Sequence, residues 1–186
     1  MAPASDFFVS GDIRANENIY LTSMHTLFMR EHNRLCDEIV ANNPGIVGLD
    51  EIIYQQARKK VSAFIQCITF NEFLPCLLGD SNIPAYSGYN NTIDASIFTE
   101  FSTVGYRLGH SMLSSSLKVD DVNNTILLRN AFFSPSYIQT NGIDNLIYGG
   151  TDQLMEKIDA KIVDDVRNFL FGPPTASNLL DLAALN

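Results

Sequence analysis

Between Ile19 and Ala41 the apolar residues Ile19, Leu21, Met24, Leu27, Phe28, Leu35 and Ile39 recur at mostly helical spacing, and Asn42-Asn43-Pro44-Gly45 closes the run. A stripe of that period needs an α-helix laid on a partner. A second stripe follows Asp50, with Ile53, Ala57, Val61, Phe64, Ile65 and Ile68 on one face and Gln55, Arg58 and Lys59 on another. It predicts a helix reaching about Phe70. Two long amphipathic helices early in the chain set the expected class as mainly α.

The rest is more broken. Leu74-Pro75, Gly79 to Pro84 and Ser87-Gly88-Tyr89-Asn90-Asn91 are rich in turn formers and predict an irregular connection. Phe98, Phe101, Val104, Leu108 and Met112 suggest one helix from Ile97 to Ser114, whose glycines would admit a flat ligand or another backbone. At most a short hairpin is expected around Asn123-Asn124. Short helical patterns follow at Ser136 to Thr140, Asp144 to Tyr148, Asp152 to Lys157 and Asp164 to Leu170, the last ended by Gly172-Pro173-Pro174. Asn178 to Asn186 reads as the first turns of a further helix.

With 46% apolar and 18% charged residues, the 186-residue chain has an ordinary globular composition. A formal charge of -9, with only 12 Lys and Arg scattered along it, argues against a nucleic-acid partner. No uninterrupted apolar run approaches the roughly 20 residues of a bilayer span, so no membrane span is expected, and the first residues lack the regions of a signal peptide. Cys36, Cys67 and Cys76 lack the spacing of a zinc site or a disulfide scaffold; one bridge with one free thiol, or none, both remain open. Asn90-Asn91-Thr92 and Asn123-Asn124-Thr125 fit the glycosylation acceptor pattern, which matters only for a secreted protein.

Three ordered motifs say more. Gly11-Asp12-Ile13-Arg14-Ala15-Asn16-Glu17 opens onto the first helix, Tyr106-Arg107-Leu108-Gly109-His110 lies far downstream, and Leu182-Ala183-Ala184-Leu185-Asn186 closes the chain. Together they resemble the animal-type haem peroxidases, the family of myeloperoxidase and peroxidasin. The resemblance implies a helical haem-peroxidase core fragment with long irregular loops and little or no β. It also implies that residues 1–186 form a single partial domain truncated at both ends.

The chemistry implied is specific. His110 would be the axial ligand of the haem iron, because a neutral imidazole supplies one donor while its second nitrogen is held by a partner. Asn186 matches the asparagine that accepts that second proton. Arg107, three positions before His110, would face the haem on the proximal side. Arg14 would lie on the distal side and polarise bound peroxide, placing positive charge where the O–O bond breaks. Glu17 matches the glutamate that can form an ester with a haem methyl. By the residues alone, His110 reads as a packed core histidine, and Asp12, Arg14 and Glu17 as charges at a helix start. His25 and His32 share a helix face, but lack a metalloprotease pattern and read as framework. Myeloperoxidase has a methionine after the glutamate, bonded to the haem as a sulfonium; here the position is Asn18, so that bond is expected to be absent.

The function implied is a peroxidase, in which hydrogen peroxide is reduced and small organic donors or halides are oxidised through a ferryl haem intermediate, with a role in oxidative stress. The family's distal histidine and calcium site lie upstream of the first motif, so the isolated segment is expected to be a poor catalyst. It would need the missing N- and C-terminal parts of its domain. The full-length protein would be secreted or extracellular. Two alternatives stand: a haem fatty-acid dioxygenase of the same superfamily, or a non-catalytic adhesion or matrix module on the same scaffold.

Overall fold

Asn18 starts the first long helix: its side-chain oxygen accepts from the Leu21 amide at 2.9 Å, an N-terminal cap for α1, Ile19–Asn42. The computed structural model describes residues 6–79, 82–120 and 122–170. After a 3-10 turn at Pro44–Ile46 comes α2, Asp50–Ile68, which runs through a π-helical turn, Thr69–Phe73, into α3, Leu74–Leu78. Downstream lie α4, Thr99–Thr103, and a 3-10 helix, Gly105–Met112. An antiparallel hairpin follows, β1, Ser116–Lys118, with β2, Thr125–Leu127, in the register Leu117 to Ile126. Four short helices complete the described chain: α5, Leu128–Ala131; α6, Pro135–Asn141; α7, Asp144–Thr151; and α8, Asp164–Phe169.

The mainly helical class and both long helices are as expected, and the hairpin turns where expected, with Asn123 in the left-handed region at φ 71. Three expectations are corrected. The single helix from Ile97 to Ser114 is instead α4 followed by the 3-10 helix, because Gly105 and Gly109 lower α-helix propensity in mid-run. Asp152 to Lys157 is not helical: Gln153 is tied sideways to β1, its side-chain oxygen accepting from Lys118 N at 2.8 Å and its nitrogen donating to Ser116 O at 2.8 Å. Leu74-Pro75 is not part of an irregular connection: α2 ends at Ile68, near the expected Phe70, but the π turn carries helical backbone on into α3, where Pro75 takes a first-turn position that needs no donor. The expected stop at Gly172-Pro173-Pro174 and the helix at Asn178 to Asn186 lie outside the described residues.

Two compact units make up the chain. In the first, Met1–Thr26 with Ala95–Asn186, the core gathers Ile19, Leu117, Leu128, Ala131, Leu146 and Val166, each nearly or fully buried. The hydroxyl of Tyr20 donates to Lys118 O at 2.5 Å and lies 3.0 Å from the Gln153 side-chain oxygen, joining α1, the hairpin and the segment after α7. Burial pushes the phenol up to about 12.

Gly149 on α7 passes so close to the hairpin that a Cβ there would lie 2.5 Å from Lys118 O and 2.7 Å from its carbonyl carbon. Both are backbone atoms, so neither can swing aside. Gly149→Ala is therefore expected to destabilise the whole protein by about 1–3 kcal/mol through overpacking, while Gly45→Ala, with nothing within 4 Å, does not. Denaturant unfolding of the two variants checks this; equal stability would refute the close approach.

In the second unit, Leu27–Asp94, Leu35, Ile39 and Ala57 form a small core with Cys36, Ile46 and Val61 packed against it. All three cysteines are free thiols. The continuous helical stretch Asp50–Leu78 is long and apolar enough, by length and composition alone, to cross a membrane, and none of its most apolar window is buried. The expectation of no span rested on uninterrupted runs, whereas this stretch tolerates scattered polar residues. Alongside it Leu27, Phe28, Phe64 and Ile68 line an open groove of about 410 Å³.

Candidate functional site

The first motif folds as a 3-10 turn, Ile13–Asn16, capped by Asp12, whose carboxylate accepts from the Arg14 amide at 2.9 Å. Asn16, only 3% exposed, holds the preceding chain with both ends of its amide: the oxygen accepts from Phe8 N at 2.9 Å and the nitrogen donates to Phe8 O at 3.0 Å. The turn is thereby fixed against the N-terminal segment just ahead of α1.

Glu17 follows directly. Its carbonyl accepts from Phe133 N at 3.0 Å, and the next residue, Asn18, forms a β-bridge with Phe132. Phe133 adopts φ 47, a left-handed conformation costly for a bulky side chain, and its ring stacks on Phe7 at 5.9 Å. A strained residue held from two sides next to Glu17 marks a backbone whose position is over-determined. Burial raises the Glu17 carboxyl above its ordinary range, and the nearby charges of His110 and then Arg14 pull it partly back. The two distant motifs thus lie within electrostatic reach of one carboxyl.

Arg14 is exposed and grips Asp12 in a fork, Nε at 3.0 Å from both carboxylate oxygens and Nη2 at 2.5 Å from one. That hydrogen bonding holds the Asp12 carboxyl at about 2. Among the described residues Nη1 carries no hydrogen bond, so the guanidinium is aimed by Asp12 with one donor pair spare.

Arg107 and His110 sit three apart on the 3-10 helix, where side chains at that spacing eclipse one another on one face. Arg107 is half-buried and has no ion-pair partner among the described residues. Nδ1 of His110 is buried with no hydrogen-bond partner among those residues. A buried, unpaired ring nitrogen is costly unless something completes it. Asn186, the residue expected to do so, lies outside the described residues. The set fits a flat, anionic, iron-bearing group: an imidazole donor, a guanidinium on the same face with no anion partner among the described residues, and a half-buried carboxyl. His25 is exposed on α1, and His32 is engaged with Tyr54, ring centroids 5.1 Å apart; among the described residues no group of three or more ligand side chains forms a metal site.

Sequence reasoning missed Asn16, Phe133 and the Arg129–Asp165 pair that anchors the segment leading to Phe133. Their partners are distant in sequence, and no local pattern announces them. The one available signal was Asn18, a helix-capping residue type just before an apolar-periodic run.

The chain matches the family model for animal haem peroxidase over residues 2–186. It is 36% identical over 188 residues to peroxinectin A of Dictyostelium discoideum, covering 99% of this chain and 34% of that protein. It is 39% identical over 192 residues to human lactoperoxidase, covering 96% and 26%. Among solved structures it resembles peroxidase A from Dictyostelium discoideum, with a TM-score of 0.88, 34% identity, and coverage of 99% of this chain and 36% of that one. The chain therefore spans about a quarter to a third of the length of these relatives.

Proposed function

Because the chain belongs to the animal haem peroxidase family, we propose that the whole protein is a haem-dependent peroxidase that reduces hydrogen peroxide and oxidises small organic donors or halides. In this reading residues 1–186 are one partial domain, His110 supplies the axial nitrogen to iron, and Asn186 accepts the proton on the other ring nitrogen. The observation that carries it is the buried Nδ1 of His110, without a hydrogen-bond partner among the described residues, the atom the asparagine would complete. When bound, the haem would supply the iron centre that takes the oxidising equivalents from peroxide.

The chain's own residues do the rest. Arg107 would pair with the haem carboxylates, and its lack of an ion-pair partner among the described residues favours this role. Arg14, aimed by Asp12, offers its spare donors to the peroxide oxygen on which negative charge develops. Glu17 has its backbone fixed by Phe133 and its carboxyl half-buried, as a covalent tether to the porphyrin edge requires. Calcium, a cofactor of the full-length family, has no assigned residue in this chain.

The experiment is the absorption spectrum and peroxide turnover of the haem-loaded whole protein. Absence of both an intense haem band and turnover would sink the proposal. The tether is tested separately by extraction into acidified organic solvent. Wild-type protein is expected to retain its pigment and Glu17→Gln to release it while keeping the band. Extractable haem in the wild type would remove the ester and leave the ligand assignment standing.

A further inference from the structure

Away from the haem assignment, one histidine of α1 meets a thiol. His32 and Cys36 stand one helical turn apart, and the ring nitrogen Nδ1 lies 3.7 Å from Sγ, within reach of a sulfur hydrogen bond. The other nitrogen, Nε2, lies 3.4 Å from the backbone carbonyl of Tyr54 on α2, whose ring packs on the imidazole with centroids 5.1 Å apart. A carbonyl only accepts, so the proton belongs on Nε2 and Nδ1 presents its lone pair to the thiol. Nδ1 also lies 3.4 Å from the end of the Asn33 amide. Asn33 is exposed, and its amide can turn to offer an N–H there without disturbing that tautomer.

A nucleophile, a base within reach of it and a third group that orients the base are the parts that arm a cysteine. The other two thiols lack them. Cys67 and Cys76 are exposed, and neither sulfur has a hydrogen-bond partner among the described residues. Cys36 is half-buried, packed against the small core of Leu35, Ile39 and Ala57, whereas Cys67 lines the groove beside Leu27, Phe28 and Glu31. Ranked by exposure alone, Cys67 and Cys76 react first; ranked by a positioned base, Cys36 does. The two rankings are opposite.

We propose that Cys36 is a site of oxidation by hydrogen peroxide, with His32 as its general base. The Cys36 sulfur attacks one peroxide oxygen, and the S–O bond forms as the O–O bond breaks. The thiol proton passes to Nδ1 of His32 and from there to the departing hydroxide, which leaves as water. Sulfur is oxidised and peroxide reduced by the same electron pair, and the product is a sulfenic acid whose hydroxyl can donate to Nδ1 in place of the thiol. The inference stands apart from the ligand assignment at His110: a protein without a haem band keeps the thiol and its base, and an unreactive Cys36 leaves the band as it was.

The test exposes the full-length protein briefly to hydrogen peroxide in the presence of a cyclic 1,3-diketone that captures sulfenic acids, followed by peptide mapping. The Cys36 peptide is expected to take the label ahead of the Cys67 and Cys76 peptides. His32→Gln is expected to keep the wild-type circular dichroism and to slow Cys36 labelling at least about tenfold, short of the full contribution of a positioned base because a free thiol is already partly thiolate at neutral pH. The order among the three thiols of the wild type needs no variant, so the test stands even where His32→Gln fails to fold. Oxidants made at a haem would mark the exposed thiols first. That order, equal labelling of all three, or undiminished Cys36 labelling in folded His32→Gln overturns the proposal.

Discussion

Substituting alanine for His110 in the whole protein is expected to erase the intense haem absorption band and to cut peroxide turnover by more than about a hundredfold, beyond the ~10–100-fold typical of losing a group that only orients a metal ligand. The expectation follows from what the imidazole has and lacks. One ring nitrogen is buried with no partner among the described residues, the ring shares a face with a guanidinium that has no ion-pair partner among them, and it lies near enough to bias the Glu17 carboxyl across some ninety residues of sequence. His25→Ala and His32→Ala are expected to leave the band in place, because the first histidine is exposed and the second is engaged with Tyr54. A smaller variant, His110→Gly, distinguishes ligation from folding, since added imidazole restores the band only where the missing group was the iron donor. A full band in His110→Ala would move the ligand elsewhere.

Asp165→Ala is expected to destabilise the protein by about 1.5–3 kcal/mol, the range for losing hydrogen bonds to a buried charged group whose partner, Arg129, is itself exposed. Asp165 is 2% exposed, and its carboxylate accepts three hydrogen bonds from one residue, from Arg129 N at 2.9 Å, Nε at 2.9 Å and Nη2 at 3.0 Å. The guanidinium in turn lies 4.3 Å over the Phe169 ring. Burial pushes the Asp165 carboxyl up, but the Arg129 hydrogen bonds outweigh it and hold the group below the ordinary carboxylate range. The sign follows. The stabilisation is present above the unfolded-state pKa and is lost as pH falls through the depressed folded-state value, so wild type and Asp165→Ala should converge in strongly acidic solution. Denaturant unfolding across pH measures both; a neutral-pH loss below about 1 kcal/mol would show the pair to be no stronger than a surface bridge.

That anchor also reaches the candidate site. Arg129 belongs to α5, which leads directly into Phe132 and Phe133, the residues that clamp Asn18 and Glu17 by backbone. Loosening α5 therefore loosens the carboxyl proposed to hold the porphyrin.

The sequence was readable where the controlling forces are local. α1 begins at Ile19 as its apolar stripe indicates and ends at Asn42, one residue past the reading, and the turn at Asn123 follows from a residue type that tolerates positive φ. Where distant groups decide, local pattern misled. Gln153 surrendered a helical stretch to bond the hairpin, and Pro75, a breaker by habit, sits in helical backbone because it falls in a first turn that needs no donor from it. The site divides the same way. His110, Arg107, Arg14 and Glu17 were legible only through family motifs, since no periodicity marks them as chemistry. The groups that hold two of them in place, Asp12 for Arg14 and Phe133 for Glu17, become visible only when the chain is folded.

Asn18 shows how a cofactor bond and a helix can compete for one side chain. Its oxygen is already committed to the Leu21 amide, so grafting a sulfur-bearing residue at this position to gain a second covalent link would strip that amide of its acceptor, at a cost of about 0.5–2 kcal/mol. Any redesign toward a doubly cross-linked haem must first find another way to begin α1.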